Sequence, residues 1–142
     1  MSAQTNKKRV LFLCTGNSCR SQMAEGLLRQ FAGHEFDAAS AGTNPTRVNP
    51  MAVLVMAEAA IDISGQYSKP FDEMMEQQFD YVITVCDRTR EACPVFPGVA
   101  RQLHWSFEDP AEATGTEEER LRVFRRVRDE IAERVRDFTS NE

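Results

Sequence analysis

Apolar positions in the first third of the chain switch between strand-like and helix-like spacing. Residues 8–14, KRVLFLC, form a short apolar run behind charged residues, which is typical of a buried strand. Residues 18–33 place apolar side chains such as Met23 and Leu27 four positions apart, and this spacing favours a helix that stops at a glycine. Residues 35–43 alternate weakly again. The pattern predicts a β-α-β unit in this part of the chain.

The alternation continues through the rest of the sequence. Residues 49–60 begin with an asparagine cap and a proline, a strong signal for a helix start, and residues 79–86 and 100–105 are predicted to be two further strands. The composition between these two strands suits a loop or a short helix. Residues 114–138 carry apolar side chains three or four positions apart together with a capping box, which predicts a long amphipathic helix.

This order of elements predicts an α/β fold. Strands that alternate with helices form a parallel sheet with helices on both faces, and we expect a single domain, residues 1–142, with a four-stranded sheet. Right-handed crossovers place the carboxyl ends of parallel strands at one edge, where open α/β sheets bind ligands. Since Cys14, Cys86 and the segment after Trp105 all follow strands, we expect them to meet at that edge.

Composition and charge narrow the classes of function. The chain has 142 residues, a net charge of -5 and a pI near 5.1, which argues against a nucleic-acid-binding protein and its usual basic face. No apolar run reaches the roughly 18 residues of a membrane span. The apolar stretch at residues 10–13 is too short for a signal peptide. We therefore expect a cytoplasmic protein without nucleic-acid or membrane partners, and a monomer by default.

The four cysteines fall into two pairs, Cys14 with Cys19 and Cys86 with Cys93. Two structural disulfides are one interpretation, but a cytoplasmic chain of this size does not need them. Zinc is another, but the spacings C-x4-C and C-x6-C with two histidines fit structural zinc sites poorly. Catalytic or redox cysteines are favoured, and we expect no cofactor.

The first pair lies in CTGNSCRS, a C-x5-R-S sequence between a predicted strand and a predicted helix. Such a turn wraps backbone N–H groups into a concave nest, and the helix amino end adds positive potential, so the turn suits a tetrahedral oxyanion. Arg20 can hold two anion oxygens, and the same field favours a thiolate at Cys14. The residues expected to bind the anion are Thr15, Gly16, Asn17, Ser18, Cys19, Arg20 and Ser21.

A thiolate that attacks a tetrahedral oxyanion must expel an oxygen, and that oxygen needs a proton. Asp109 lies just beyond the fourth predicted strand, and Pro110 holds it in an extended conformation. Alone, an Asp-Pro pair indicates only a turn, but beside the Cys14 loop it favours a general acid. Together, C-x5-R-S near the start and Asp-Pro in the last third resemble the low-molecular-weight protein tyrosine phosphatase fold, over essentially the whole chain.

The second pair changes the predicted chemistry. Cys86 ends the third predicted strand, at the same edge as Cys14, and Cys93 follows after a polar, charged segment. Two half-buried thiols without a role are the simpler interpretation. A third thiol within reach of the first nevertheless permits a relay, because disulfide exchange passes from one sulfur to the next.

The sequences CTGNSCRS, VCDRTREACP and HWSFEDP together resemble the thioredoxin-coupled arsenate reductases, which share the phosphatase fold. The resemblance implies that Cys14 attacks arsenate held by Arg20 while Asp109 protonates the departing oxygen. It further implies that Cys86 then attacks Cys14 and releases arsenite. Cys93 finally attacks Cys86, and thioredoxin reduces the resulting exposed Cys86–Cys93 disulfide. The function implied is arsenate detoxification, with arsenate as substrate and thioredoxin as partner.

Some members of that reductase family have a potassium site beside the loop. Asn17, Glu25 and Ser40 match three of its ligands, but Lys69 stands where a fourth, acidic ligand would be expected. A lysine ammonium can take the place of the ion, so we do not expect potassium dependence. Cys19 lies outside the implied relay: a small loop side chain is the simpler interpretation, and a protective disulfide with Cys14 is the alternative.

Two other classes of function stay open at this point. A phosphotyrosine phosphatase with incidental thiols would use the same loop and acid, but such enzymes usually place aromatic residues around the acid loop. Here Trp105 and Phe107 both precede Asp109. A non-catalytic redox or anion sensor would not need Asp109.

Overall fold

The computed structural model describes residues 7–87 and 101–141, and the structural statements below concern these ranges. Short 3-10 helices cover Phe71–Met74 and Pro110–Glu112. The longer elements, in chain order, are β1 (Lys8–Cys14), α1 (Arg20–Ala32), β2 (Phe36–Gly42), α2 (Pro50–Glu58), β3 (Tyr81–Thr84), β4 (Arg101–His104) and α3 (Glu117–Asn141).

The four strands form one parallel sheet in the order β2-β1-β3-β4. In β1, Cys14 lies opposite Gly42 of β2, and Leu13 lies opposite Thr84 of β3. Cys86 follows β3 by two residues. The predicted four-stranded parallel sheet is confirmed, and its register places the ends of β1, β2 and β3 at one edge.

The two faces of the sheet are covered differently. All three α-helices contribute to a large core on the face that carries Val10 and Phe12, including Met23, Val55 and Phe124. On the opposite face, a smaller cluster packs against the 3-10 helix at Phe71–Met74 and the residues around it. Helices therefore cover both faces, as predicted, but the α-helices share one side.

The capping residues predicted from the sequence mark the start of α2 and α3 in the structure. Asn49 caps α2 by accepting a hydrogen bond from Met51 N at 2.8 Å, and Thr116 and Glu119 form the predicted capping box before α3. Helix α1 begins at Arg20, two residues later than predicted, because residues 14–19 form a loop.

The two 3-10 helices, Phe71–Met74 and Pro110–Glu112, were not predicted from the sequence. The short helix suggested between β3 and β4 lies outside the described residues. Within 7–87 and 101–141, the structure contains no helix with the length and apolar character that a membrane crossing requires.

Candidate active site

The carbonyl groups of the loop that follows β1 bond to neighbouring segments of the chain. Because C=O of one residue and N–H of the next point in opposite directions across a trans peptide, fixing a carbonyl also fixes the following N–H. The loop thus becomes a nest of N–H groups with defined directions. The backbone contacts are Thr43 N to Cys14 O (3.3 Å), Asn44 N to Thr15 O (2.8 Å), Thr46 N to Gly16 O (3.1 Å) and Asn49 N to Ser18 O (3.0 Å).

The Cys14 thiol is buried at the base of this loop. Its sulfur lies 2.9 Å from Ser21 Oγ and accepts a hydrogen bond from Asn17 N at 3.2 Å. Asn17 Nδ2 donates to Ser21 Oγ at 2.8 Å, so the serine proton is left to donate to the sulfur. Asn17 has a φ of 49°, a left-handed conformation that asparagine tolerates better than most residues. Both donors point at the sulfur and fix its position at the base of the loop.

Arg20 and Asp109 meet above the loop, as the sequence predicts. The Arg20 side chain is buried; its Nη1 donates to Phe107 O at 3.2 Å, and its Nη2 lies 3.7 Å from Asp109 Oδ2. The other carboxylate oxygen of Asp109 accepts from Ala111 N at 3.0 Å. The same arginine therefore contacts the acid and borders the anion site.

These groups surround a cavity of about 360 Å³. Sequence reasoning missed four of its lining residues: two from the segment after β2, Asn44 and Thr46, and two after the acid, Ala111 and Glu112. The rule that parallel strand ends bind ligands would have indicated the first two. Among the described residues, the lining consists of Cys14, Thr15, Gly16, Ser18, Cys19, Arg20, Asn44, Thr46, Asp109, Ala111 and Glu112, and it does not include Asn17 or Ser21, which were predicted to bind the anion.

A second cavity, of about 280 Å³, also borders the acid. Asp109 and Glu112 line both cavities, and Asp87, the residue after Cys86, lines the second. The acid thus borders both the Cys14 pocket and the cavity that Asp87 lines.

The cysteines differ in state and environment. Cys14 and Cys19 are free thiols, whereas Cys86 is disulfide-bonded. Cys86 is fully buried, so the exposure that the resemblance implies is wrong for this half of the pair. Cys93 lies outside the described residues. Burial, opposed by a hydrogen bond from Ser18, raises the pKa of the Cys19 thiol to about 12, which makes it a poor nucleophile at neutral pH.

Residues 9–141 match the family described as "Low molecular weight phosphotyrosine protein phosphatase". An arsenate reductase from Halalkalibacterium halodurans is 51% identical over 133 residues, which are 94% of this chain and 96% of that protein. The chain belongs to this phosphatase family, among its arsenate reductases.

Solved structures of the family agree with this assignment. An arsenate reductase in the oxidized state aligns with a TM-score of 0.80 at 34% identity, over 94% of this chain and 98% of that one. A thioredoxin-dependent arsenate reductase from Corynebacterium glutamicum aligns with a TM-score of 0.73 at 28% identity, over 99% of this chain and 63% of that one.

The residues around Glu25 do not fit a potassium ion in this member of the family. The Glu25 carboxylate accepts from Ser40 Oγ at 2.6 Å and pairs with Arg29. Lys69 N donates to Asn17 Oδ1 at 2.8 Å, and the charge of Glu25 acts on the Lys69 ammonium. Burial lowers the Lys69 pKa, and Glu25 opposes that change. Because Arg29 already pairs with the carboxylate and the Lys69 ammonium lies close enough to feel its charge, an added cation would meet repulsion.

Proposed function

We propose that the chain reduces arsenate to arsenite in arsenic detoxification, with Cys14 as nucleophile and thioredoxin as reductant. The observation that carries the proposal is the Cys14 loop: a buried sulfur with two donors, beneath a cavity that Arg20 and Asp109 border. The dimensions of the cavity, together with the loop N–H groups and Arg20 as donors, suit a tetrahedral oxyanion. The arsenate reductases among its relatives support arsenate as that anion.

In the first step the Cys14 sulfur forms a bond to arsenic, and one arsenic–oxygen bond breaks. Arg20 and the loop N–H groups hold the remaining oxygens, and Asp109 supplies the proton with which the departing oxygen leaves as water. The 3.7 Å between Arg20 and Asp109 supports this division of roles, because one arginine adjoins both the anion and the acid.

In the second step the Cys86 thiolate attacks the Cys14 sulfur. A Cys14–Cys86 disulfide forms, the sulfur–arsenic bond breaks, and its electron pair stays on arsenic, which leaves as arsenite. Cys93 then attacks Cys86 and releases Cys14 as a thiolate. The dithiol of thioredoxin supplies the two electrons that reduce the Cys86–Cys93 disulfide.

The states of the described cysteines support this order. Cys86 is disulfide-bonded while Cys14 and Cys19 are both free, as expected after the relay has run and before reduction. The anion loop, the acid and the cysteines of the relay all belong to one chain, which supports action as a monomer.

A second activity, phosphatase hydrolysis, is favoured by the same loop and acid. Phosphate has the shape of arsenate. Cys14 can form a cysteinyl-phosphate held by Arg20 while the ester P–O bond breaks and Asp109 protonates the departing alcohol oxygen, and water then cleaves the S–P bond to release phosphate. However, no aromatic residue lines the 360 Å³ cavity within the described chain, so a phosphotyrosine ring lacks an aromatic partner there. We propose at most weak hydrolysis of small phosphate esters.

The test is NADPH consumption with arsenate, thioredoxin and thioredoxin reductase. We expect turnover by the native chain and none by Cys14→Ser, Cys86→Ser or Cys93→Ser. Cys19→Ser is the matched control, because it removes a thiol of the same loop that the relay does not use. Normal turnover by both Cys86→Ser and Cys93→Ser would show that the relay is wrong.

A further inference from the structure

Gln22, on the first turn of α1, has a fully buried side chain that the mechanism does not use. Its Nε2 donates to Asn17 O at 3.0 Å and to Tyr67 O at 3.1 Å. Its Oε1 accepts from Gln66 Nε2 at 2.7 Å. Every hydrogen of this amide is therefore used, in an environment where an unsatisfied polar group is costly.

The Asn17 carbonyl is held differently from the other carbonyls of the loop. The carbonyls of Cys14, Thr15, Gly16 and Ser18 accept backbone N–H groups from residues 43–49. Asn17 O instead accepts from two side chains, Gln22 Nε2 at 3.0 Å and Ser68 Oγ at 2.7 Å. Within residues 7–87 and 101–141, the donors that fix the direction of this carbonyl are therefore both side chains.

That direction matters because the Asn17 carbonyl and the Ser18 N–H belong to one planar peptide unit and point in opposite directions. Asn17 also has a positive φ, a conformation that persists only where its surroundings enforce it. Ser18 lines the cavity that receives the anion.

We propose that Gln22 is a positioning residue for the oxyanion: by holding the Asn17 carbonyl, it keeps the Ser18 N–H directed into the anion cavity. The proposal deepens the proposed function and rests on it only for the choice of arsenate as substrate. Binding of any tetrahedral oxyanion to the loop reports on it.

Gln22 also links α1 to residues 66 and 67, so a purely structural role must be separated from a positioning one. Gln66→Met provides the matched control, since it removes the 2.7 Å contact to Gln22 but leaves the contact between Gln22 and Asn17 O. Gln22→Met has a similar shape and removes all three contacts of the amide, those with Asn17 O, Tyr67 O and Gln66 Nε2. Ser68→Ala removes the other donor to Asn17 O without altering Gln22.

The experiment measures inorganic phosphate binding through protection of Cys14 against alkylation, the KM and kcat for arsenate, and the free energy of unfolding in urea. We expect Gln22→Met to weaken phosphate binding and raise the KM about tenfold, the effect of one well-placed hydrogen bond, with a smaller change in kcat. Ser68→Ala should weaken phosphate binding in the same direction, and Gln66→Met should lower stability but leave phosphate binding near that of the native chain.

Two results would overturn the proposal: unchanged phosphate binding in Gln22→Met, or equal weakening in Gln22→Met and Gln66→Met. If Gln22→Met does not fold, Ser68→Ala decides, and native phosphate binding in that variant counts against the proposal. Phosphate binding needs no reductase activity. A chain that binds phosphate but does not reduce arsenate would therefore refute the proposed function and leave this inference standing.

Discussion

The anion loop, residues 14–21, and the acid loop, residues 106–113, border the same cavity but are held in place in different ways. The anion loop is largely buried, and backbone groups of residues 43–49 fix four of its carbonyls. The acid loop is more exposed. It is held by the contact from Arg20 to Phe107 O and by a surface ion pair between Arg126 and Glu108 at 2.7 Å.

This difference separates two requirements of catalysis. Oxyanion binding needs several N–H groups with fixed directions, and such preorganisation calls for a buried, fully bonded backbone. A general acid needs only to reach the leaving oxygen. Substitutions at the acid loop should therefore change turnover with little effect on anion binding, whereas substitutions that disturb the anion loop should change both.

Asp109→Asn should give the largest effect and the clearest separation. The amide keeps the oxygen that accepts from Ala111 N but cannot supply a proton, so we expect kcat to fall about 10²- to 10⁴-fold. Phosphate binding should not weaken, because a negative charge near Arg20 is removed. Arsenate turnover and phosphate protection of Cys14 measure the two effects. Weaker phosphate binding would contradict the comparison.

Gly42→Ala should damage the anion loop itself. A Cβ at Gly42 would lie within 3.0 Å of Thr15 O, Asn17 N and Asn17 Cβ, so the loop must shift. We expect about a 10²-fold loss of kcat/KM together with weaker phosphate binding, and a loss of about 1–3 kcal/mol in the free energy of unfolding. Gly65→Ala is the matched control, since its Cβ would meet no atom within 4 Å. Native phosphate binding in Gly42→Ala would refute this prediction.

Arg126→Gln should have a modest effect confined to turnover. The variant removes the ion pair with Glu108 beside the acid, but both side chains are about half exposed. Exposed pairs contribute roughly 0.2–1 kcal/mol, so we expect kcat to fall by at most about fivefold. Added salt should reduce the difference from the native chain, and Glu108→Gln should behave alike. A loss comparable to that of Asp109→Asn would mean that the acid loop is held mainly at its surface.

Cys19→Ser should leave turnover nearly unchanged but alter the response of stability to pH. The Cys19 thiol has a pKa of about 12 in the folded chain, against an ordinary value of 9.0, so above pH 9.0 the unfolded chain releases a proton that the folded chain keeps. Stability therefore falls between pH 9.0 and about 12, by about 1 kcal/mol for each pH unit. Urea unfolding at pH 8 and pH 10 measures this, and an equal loss in Cys19→Ser would exclude Cys19 as the cause.

Local patterns in the sequence were sufficient to predict the sheet, the helices and the meeting of Arg20 with Asp109. Each strand is a short apolar run, and parallel topology brings strand ends together regardless of the intervening loops. The residues that fix the loop carbonyls could not be predicted in the same way. Thr43, Asn44 and Thr46 act through backbone N–H groups, which leave no trace in side-chain chemistry.

The burial of Cys86 and the role of Gln22 escaped prediction for a related reason. Glutamine after a C-x5-R-S sequence is an ordinary residue near a helix start, and only the folded chain brings it to the Asn17 carbonyl. Burial depends on what covers a strand end, and the apolar pattern of that strand does not contain this information. The exposure expected for Cys86 was wrong on these grounds.

The dependence of the loop on residues 43–49 has a consequence for protein engineering. The eight residues CTGNSCRS hold the recognisable motif, yet the carbonyl contacts that shape it come from a segment some thirty positions away. Transplanting the octapeptide between a strand and a helix of another scaffold would transfer the cysteine and the arginine. It would not transfer the backbone N–H groups of residues 43–49 that hold the loop carbonyls. The transferable unit is β1, β2 and both connections that follow them.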